Sequence, residues 1–583
     1  MEARLRVLVG IGTVFFLAII ARLLQFQIVL GARYYRLAEM NRIRRVTISA
    51  PRGKIFDRNG KELATTQPAF SLSVIPAETD SLTIAKLKLL LKDILPESSL
   101  VWSRIERNRS SSYPLRIFRN ISQKLVSRIE ENSNDLSGVE ISVEPLRYYP
   151  FADTFSHILG YINEITEEEL KRDSSYNPGN CIGRTGIEAQ YEQYLRGKDG
   201  IEYIEVDSRG RRVGILSEKK PIPAEPGGDI YLTIDTDLQR YAYQLLADYP
   251  RAAVVGIDLS DGGVLVLISK PGFDPNQLLG VMSETEWQTL IRDPNRPFFN
   301  RAIMGTYPPG STFKPCVALA GLEKGLLTPN SYFTCTGKFP FGNRIFRCWS
   351  THGRLNLIDA ITHSCNSYFY QAGLRLGLDP ITTTALECGF GVPTGIDIPG
   401  EKKGLIPTRS YLEARYGKRR IPSGILLNLA IGQGEVLVTP LQLACFYARI
   451  AGDGQFFKPH LLMKTGNTNL KLEIQNSKLT TVFALLKDAL FYAVERGTGA
   501  GAKVASITIA GKTGTAQNPF GEDHAWFVGY AGTQKPEVLF CILVENAGKG
   551  GAICAPIAQK LFRYYFKIQP GTSSQLVSSN QQE

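Results

Sequence analysis

Several common functional motifs are absent from this chain of 583 residues. Only five residues are histidines, and Ser311 lacks the G-x-S-x-G elbow, so a Ser-His-Asp hydrolase is disfavoured. A phosphate-binding loop at Gly511 would need a glycine five residues earlier, where Ser506 stands. The formal net charge is +12, but no run of lysine and arginine alternates with aromatic residues, so nucleic-acid binding is not indicated.

Long apolar runs are also scarce. Residues 7–30 form one apolar segment that is long enough to cross a bilayer, and no small-residue cleavage site follows it. We therefore predict a short cytoplasmic tail, residues 1–6, and a single uncleaved membrane anchor. Arginines flank the segment on both sides, so charge alone is a weak guide to which side of the membrane holds the rest of the chain.

The rest of the chain is long enough for two domains. A Pro/Gly break near Pro226 separates a predicted N-terminal pedestal, residues 31–226, from a second domain, residues 227–568, and residues 569–583 are predicted to be a flexible tail. Strand-like runs lie at both ends of the second domain, with helical segments between them. This order predicts an α+β fold in which the two ends of the domain share one antiparallel sheet flanked by helices.

The stretch YPPGSTFKP places Ser311 three residues before Lys314. At the start of a helix these two positions share a face, so the amine can approach the hydroxyl. A serine there is also a common helix cap, and the chain has a second S-x-x-K match at Ser217. The motif alone therefore leaves both interpretations open.

Two further motifs follow in the chain. The first is Ser364-Cys365-Asn366, whose hydroxyl and amide can meet one pocket only from a loop, and the second is Lys512-Thr513-Gly514-Thr515, on a strand that can pair with the next one. Each has a decoy, at Ser175 and Lys464. The ordered set S-x-x-K, S-x-N, K-T-G is much more specific than any one member and is typical of penicillin-binding proteins and serine β-lactamases.

The chain resembles the class B penicillin-binding proteins over nearly its whole length. The resemblance rests on blocks that include RGKIFDRNG, GRTGIE, YPPGSTFKP, SCNSYFYQ, IGQGEVLVTPLQLA and GKTGTAQ. YPPGSTFKP and FRCWSTHGRLNLIDAI look most like the elongation-specific member. The septal member remains an alternative, as do a carboxypeptidase, a β-lactamase and a β-lactam-acylated sensor without cross-linking activity.

The resemblance implies a transpeptidase fold and a D,D-transpeptidase that cross-links peptidoglycan stem peptides outside the cytoplasmic membrane and is inhibited by β-lactams. Ser311 would be the nucleophile, with Lys314 as its base and Ser364 as a proton relay. The donor peptide would be bound by Asn366, Lys512, Thr513, Gly514 and Thr515, and the backbone N–H groups of Ser311 and Thr515 would form the oxyanion hole. A RodA-type membrane glycosyltransferase would be the partner, and the chemistry would need no cofactor.

Four potential metal ligands lie between and within the first two motifs: Cys335, Cys348, His352 and Cys365. Three thiols and one imidazole are a complete tetrahedral set for zinc, and Cys348 and His352 have the spacing of one helix face. Buried or disulfide-paired cysteines are the alternative. A zinc ion here would be structural and would fix the loop of Ser364.

Overall fold

The structure is a computed structural model. It describes residues 2–35, 43–92, 95, 100–111, 114–206, 212–216, 219–279, 282, 284–418, 421–466, 468–469, 474–475, 480–519 and 521–569. The decoy at Ser217 and nearly all of the predicted C-terminal tail lie outside these residues. A helix, Glu2–Leu24, continues as a π-helical turn, Gln25–Val29, and together they are long and apolar enough to cross a membrane.

The chain divides into two compact units. One contains residues 1–52, 66–146 and 196–227, and the other contains residues 53–65, 147–195 and 228–583. The predicted pedestal, residues 31–226, is therefore shared between the two units. Its sequence limits stay a prediction.

Besides the helix Glu2–Leu24, the described residues of the first unit form strands of two sheets and further helices. One sheet joins the strands Ile43–Ile48, Gly200–Val206 and Arg212–Ile215. The other includes Leu115–Phe118, Val139–Tyr148 and the end of the strand Glu62–Val74. The helices are Ser81–Leu91, Leu100–Arg107 and Gln123–Glu131.

The Gln123–Glu131 helix illustrates why these residues fold in this way. The side chain of Ser122 caps its first turn by accepting from the N–H of Leu125. Leu125 and Ile129, four residues apart on one face, are buried in the core of this unit.

The second unit is built on a five-stranded antiparallel sheet. Its strands, in spatial order, are Val264–Lys270, Ala252–Asp258, Val538–Val544, His524–Gly532 and Thr508–Ala516. The strand Val538–Val544 is buried along its whole length, as expected for a central strand covered on both faces. The prediction that both ends of the domain share one antiparallel sheet is confirmed.

Helices pack against the faces of this sheet. Thr236–Leu245 and Gly550–Tyr565 contribute Leu238, Ala558 and Leu561 to a core shared with strand residues. Further α-helices among the described residues of the unit are Ser156–Leu159, Glu167–Arg172, Gly186–Gln190, Glu192–Leu195, Glu284–Arg292, Lys314–Glu323, Leu357–Thr362, Asn366–Leu376, Leu378–Glu387, Arg409–Tyr416, Gly424–Ala430, Pro440–Ala451 and Thr480–Glu495.

Short strand pairs complete the second unit. Ile230–Leu232 lies between Ile55–Phe56 and Leu462–Thr465, and Leu462–Thr465 also pairs with Thr468–Asn469. Further pairs in the described part of the unit are Ile162–Glu164 with Cys181–Gly183, Phe333–Cys335 with Gly353–Leu355, Lys338–Phe341 with Arg344–Arg347, and Phe456–Phe457 with Ile474–Gln475. The hairpin Lys338–Arg347 borders the candidate active site.

Candidate active site

Ser311 lies in a tight turn directly before a buried helix. The segment Gly310–Phe313 is a 3-10 turn, and the α-helix begins at Lys314, with Pro315 in its first turn. The sequence predicted that Ser311 itself would open the helix. It lies three residues earlier, in the 3-10 turn, and the structure gives no side-chain cap at this helix end among the described residues.

The amine of Lys314 is fully buried and points to the second motif. It donates to the carbonyl oxygen of Ser364 at 2.8 Å, to the Ser364 hydroxyl at 3.2 Å and to Oδ1 of Asn366 at 2.7 Å. These three acceptors match the three protons of an ammonium group. Burial lowers the pKa of Lys314 to about 8, which leaves part of the population neutral near pH 7.

The second motif lies in a turn between two helices, Leu357–Thr362 and Asn366–Leu376, as the sequence predicted. Ser364 has a φ of 53°, a left-handed conformation that non-glycine residues adopt only when the surroundings enforce it. This turn directs both the Ser364 hydroxyl and the Asn366 amide to Lys314.

The third motif lies on the edge strand Thr508–Ala516, which pairs with His524–Gly532 as predicted. Lys512 is fully buried, and its amine donates to the hydroxyl of Thr498 at 3.2 Å and to the carbonyl of Thr513 at 3.1 Å. The Thr513 hydroxyl donates to that of Thr498 at 2.8 Å. Burial, and then the charge of Lys314, hold the pKa of Lys512 well below its usual range.

Thr498 is a site residue that the sequence patterns did not single out. Thr498 lies 14 positions before Lys512 and belongs to none of the three motifs. Only the fold shows that it contacts both Lys512 and Thr513. Thr498 lines the same cleft as Ser311.

Glycines allow the backbones of two motifs to approach each other. A Cβ on Gly310, where φ is 55°, would lie 2.7 Å from the Thr515 carbonyl oxygen, and one on Gly514 would lie 2.9 Å from the Pro309 carbonyl oxygen. The K-T-G strand therefore runs directly beside the nucleophile turn.

Two residues of the block IGQG hold this arrangement. The N–H of Gly310 donates to the carbonyl of Gly432 at 2.8 Å, and the side-chain amide of Gln433 donates to the carbonyl of Thr515 at 3.1 Å. The sequence indicated this block only as part of a family resemblance and assigned it no role.

The predicted catalytic and binding residues meet in one cleft of about 1450 Å³. Its lining includes Ser311, Ser364, Asn366, Thr513, Gly514 and Thr515. Lys314 and Lys512 lie behind this surface and are fully buried. A serine that lines a cleft beside a sheet edge, with two buried amines of lowered pKa behind the cleft surface, has the elements of a covalent acyl-transfer site.

The four predicted metal ligands also come together: Cys335, Cys348, His352 and Cys365 lie with their ligand atoms all within 4.8 Å of one another. Nδ1 of His352 lies 3.5 Å from the sulfur of Cys335 and 3.6 Å from that of Cys348, and the sulfurs of Cys348 and Cys365 are 3.9 Å apart. Tetrahedral zinc with ordinary bond lengths requires S–N edges of about 3.6 Å and S–S edges of about 3.8 Å. The residues present therefore fit a zinc ion.

The helical spacing predicted for Cys348 and His352 is wrong. Both lie in the irregular segment between the strands Arg344–Arg347 and Gly353–Leu355. The sulfur of Cys348 is hydrogen-bonded to that of Cys365 and accepts from the N–H of Asn366 at 3.3 Å, and these contacts, first the one with Cys365, lower the pKa of the Cys348 thiol. The cluster is thus hydrogen-bonded to the second motif itself.

The site is that of a serine acyl-transfer enzyme, and comparison with known proteins supports this class. The penicillin-binding protein transpeptidase domain family matches residues 252–563, and the penicillin-binding protein dimerisation domain family matches residues 47–232. The chain therefore belongs to the class B penicillin-binding proteins, a family of serine-type peptidoglycan transpeptidases.

Individual relatives agree with this assignment. The peptidoglycan D,D-transpeptidase MrdA of Haemophilus influenzae is 34% identical, over 93% of this chain and 88% of its own length. The complex of penicillin-binding protein PBP2 with MreC from Helicobacter pylori has a TM-score of 0.78 at 28% identity and covers 90% of this chain and 100% of its own. A chain of a peptidoglycan synthase complex that coordinates polymerization and crosslinking has a TM-score of 0.72 at 29% identity, covering 98% of this chain and 100% of its own.

Proposed function

We propose that this chain cross-links peptidoglycan stem peptides during cell elongation, through an acyl-enzyme on Ser311. The observation that carries the proposal is that three motifs, far apart in sequence, line one cleft of a domain that matches the transpeptidase family. The relatives named D,D-transpeptidase MrdA cover almost the whole chain. This favours the elongation role over the septal role.

In the acylation step, the Ser311 hydroxyl oxygen attacks the carbonyl carbon between the two terminal D-alanines of the donor. The C–N bond breaks and the terminal D-alanine leaves with a proton. Lys314 takes the hydroxyl proton, and its lowered pKa supports this role because a neutral amine is required. The contact of Lys314 with the Ser364 hydroxyl supports a relay of that proton to the leaving amine.

Donor binding uses the other side of the cleft. The hydroxyls of Thr498 and Thr513, with the buried amine of Lys512 behind them, would bind the terminal carboxylate of the donor. The Asn366 side-chain amide would bind the donor backbone. The backbone N–H groups of Ser311 and Thr515 would stabilise the oxyanion, and the close approach of Gly310 to Thr515 supports this pairing.

The Cys/His cluster would hold a structural zinc through Cys335, Cys348, His352 and Cys365. When bound, the ion supplies no group to the reaction. Because Cys365 lies between Ser364 and Asn366, its sulfur is the ligand that would fix the second motif in the chain.

The apolar helix Glu2–Val29 would anchor the chain as a single membrane span, with the transpeptidase unit on the extracytoplasmic side. Peptidoglycan lies there, which supports this topology. A RodA-type glycosyltransferase would supply the polymerised glycan. The similarity to a chain of a complex that coordinates polymerization and crosslinking supports such a partner.

The test uses the full-length chain and a fluorescent penicillin. We expect one adduct, located on Ser311 by mass spectrometry, and no labelling of Ser311→Ala. In a thioester donor assay with a D-amino acid acceptor, the parent should form the transfer product and Ser311→Ala should not. An adduct on another residue, or none on a folded parent, would refute the assignment.

A further inference from the structure

The active-site cleft is larger than one donor peptide needs. Its volume of about 1450 Å³ exceeds the range of about 300–1000 Å³ that is usual for small-ligand pockets. A transpeptidase must hold two peptides, and the residues assigned above bind only the donor. Another part of the cleft must therefore receive the acceptor.

One wall of the cleft is the hairpin Lys338–Arg347, which turns at Gly342-Asn343. Packing fixes its position, because the ring of Phe346 lies 5.5 Å from that of Tyr370 and the ring of Phe339 lies 5.9 Å from it. The tip of Phe346 also lies against Gly424, close to where a Cβ would be. The hairpin is therefore a packed wall of the cleft.

The hairpin presents two arginines at this wall. Arg344 and Arg347 both line the cleft and both are exposed. Neither guanidinium has a hydrogen bond or an ion pair to any residue that the structure describes. Among the other charged residues of the lining, Lys549 adds positive charge and Asp523 is acidic, so the lining has a net positive charge.

This cationic wall adjoins the catalytic groups. The side-chain amide of Asn366 donates to the carbonyl oxygen of Arg347 at 3.5 Å, while its oxygen accepts from the Lys314 amine at 2.7 Å. Only one side chain thus separates the hairpin backbone from the catalytic base. An arginine side chain is long enough to act on a group held beside the reacting carbonyl.

We propose that Arg344 and Arg347 form an acceptor subsite that binds a carboxylate beside the attacking amine of the acceptor. The inference rests on the proposed transpeptidase function. It identifies the acceptor as an amine that carries a carboxylate close to its nitrogen. A guanidinium pairs with a carboxylate through two parallel hydrogen bonds, which orients as well as attracts it.

Positive charge at this position also favours the reactive form of the acceptor. A nearby cation lowers the pKa of an amine, so a larger fraction is neutral and nucleophilic. The amine nitrogen attacks the ester carbonyl carbon, an amide bond forms and the ester C–O bond breaks. The proton that the amine loses returns to the Ser311 oxygen through Lys314, which restores the free hydroxyl.

The test compares two acceptors that differ only in charge, D-alanine and D-alaninamide, with a thioester donor. In the double variant Arg344→Gln/Arg347→Gln, transfer to D-alanine should fall by about tenfold or more, as expected for a lost charge-assisted pair. Transfer to D-alaninamide should change little. Acylation by fluorescent penicillin should match the parent, because that step involves only the donor side.

Arg354→Gln is the matched control. Arg354 lies on the next strand along the chain, Gly353–Leu355, outside the cleft lining, with its guanidinium 4.7 Å from the centre of the Tyr332 ring. This variant should transfer to both acceptors like the parent.

Four outcomes would count against the proposals. Equal transfer to D-alanine by the double variant and the parent would overturn the proposal, and so would an equal loss with both acceptors. A loss of penicillin acylation in the double variant would place the arginines on the donor side and would also overturn it. If the parent itself were not acylated, the proposed function would fail instead.

Discussion

Lys314 donates from its amine to Oδ1 of Asn366 at 2.7 Å, although Asn366 lies 52 positions away in the chain. Together with two hydrogen bonds to Ser364, this contact keeps the amine beside the second motif. Among the described residues, Lys314 has no hydrogen bond to the Ser311 hydroxyl. The resting site thus holds its base on the S-x-N turn, so proton uptake from Ser311 must replace one of these contacts.

The first prediction concerns pH. Burial lowers the pKa of Lys314 to about 8, and only the neutral amine can accept the serine proton. Below that pKa the neutral fraction grows as pH rises, so penicillin acylation should become about tenfold faster per pH unit and level off above about pH 8. Stopped-flow fluorescence with a penicillin probe measures this profile.

Lys314→Arg supplies the control for the pH profile. A guanidinium stays protonated throughout the accessible range, so this variant should not be acylated at any of these pH values. A parent profile that is flat between about pH 6 and about pH 9 would show that Lys314 is not the titrating base.

The second prediction concerns Thr498. Replacing it by valine removes the hydroxyl that contacts both Lys512 and Thr513 while keeping the side-chain volume. Penicillin acylation should fall by about tenfold or more, since one hydrogen bond to a charged group is worth about 1.5–3 kcal/mol. The second-order acylation rate constant is the quantity to measure.

Thr362→Val is the matched control for this experiment. Thr362 is also buried, but its hydroxyl has no hydrogen-bond partner among the residues that the structure describes. Its loss should leave acylation unchanged. Equal effects of the two variants would mean that the Thr498 hydroxyl has no specific role in the site.

The sequence allowed the sheet and the ordered motifs to be predicted because both depend on local signals. The strand-like run at the start of the second domain corresponds to Ala252–Asp258 and Val264–Lys270, two apolar runs separated by turn residues, which pair as a hairpin. The fully buried strand Val538–Val544 likewise follows from its unbroken apolar run.

Other features depend on contacts that no local pattern reveals. Thr498 and Gln433 reach the site only because distant segments fold against the K-T-G strand. The Cys348 and His352 spacing imitated a helix, yet the metal-ligand geometry comes from an irregular segment between two strands. The residue types therefore predicted the ligands of the cluster. The backbone conformation of the segment that holds them could not be predicted, because it depends on tertiary contacts.

The third prediction concerns Gly432. Its φ is 69°, and a Cβ would lie 2.2 Å from the carbonyl oxygen of Gly310, next to the nucleophile. Gly432→Ala must therefore displace the nucleophile turn. We expect a loss of stability of more than about 2 kcal/mol and an acylation rate at least about tenfold lower.

Gly377→Ala separates the steric effect from backbone strain. Its φ of 77° is similar, but nothing lies within 4 Å of the added Cβ. Because its ψ of −175° belongs to a region that essentially only glycine adopts, this variant should lose about 1–3 kcal/mol through backbone strain alone and keep normal acylation. Thermal unfolding and penicillin labelling together distinguish the two variants, and normal acylation in Gly432→Ala would contradict the argument.

The fourth prediction concerns the metal. Three sulfurs and one imidazole nitrogen whose ligand atoms all lie within 4.8 Å of one another should retain about one zinc per chain after purification, measured by elemental analysis. Cys335→Ser should lose most of the metal and lower the unfolding temperature by more than about 5 °C, because metal binding contributes to folding free energy. Cys335 is chosen because it is farther along the chain from the catalytic turn than Cys365.

Cys181→Ser, a half-buried cysteine outside the cluster, should keep both the zinc and the stability. A purified parent without stoichiometric metal, or equal metal content in Cys335→Ser, would refute the zinc site without affecting the assignment of Ser311.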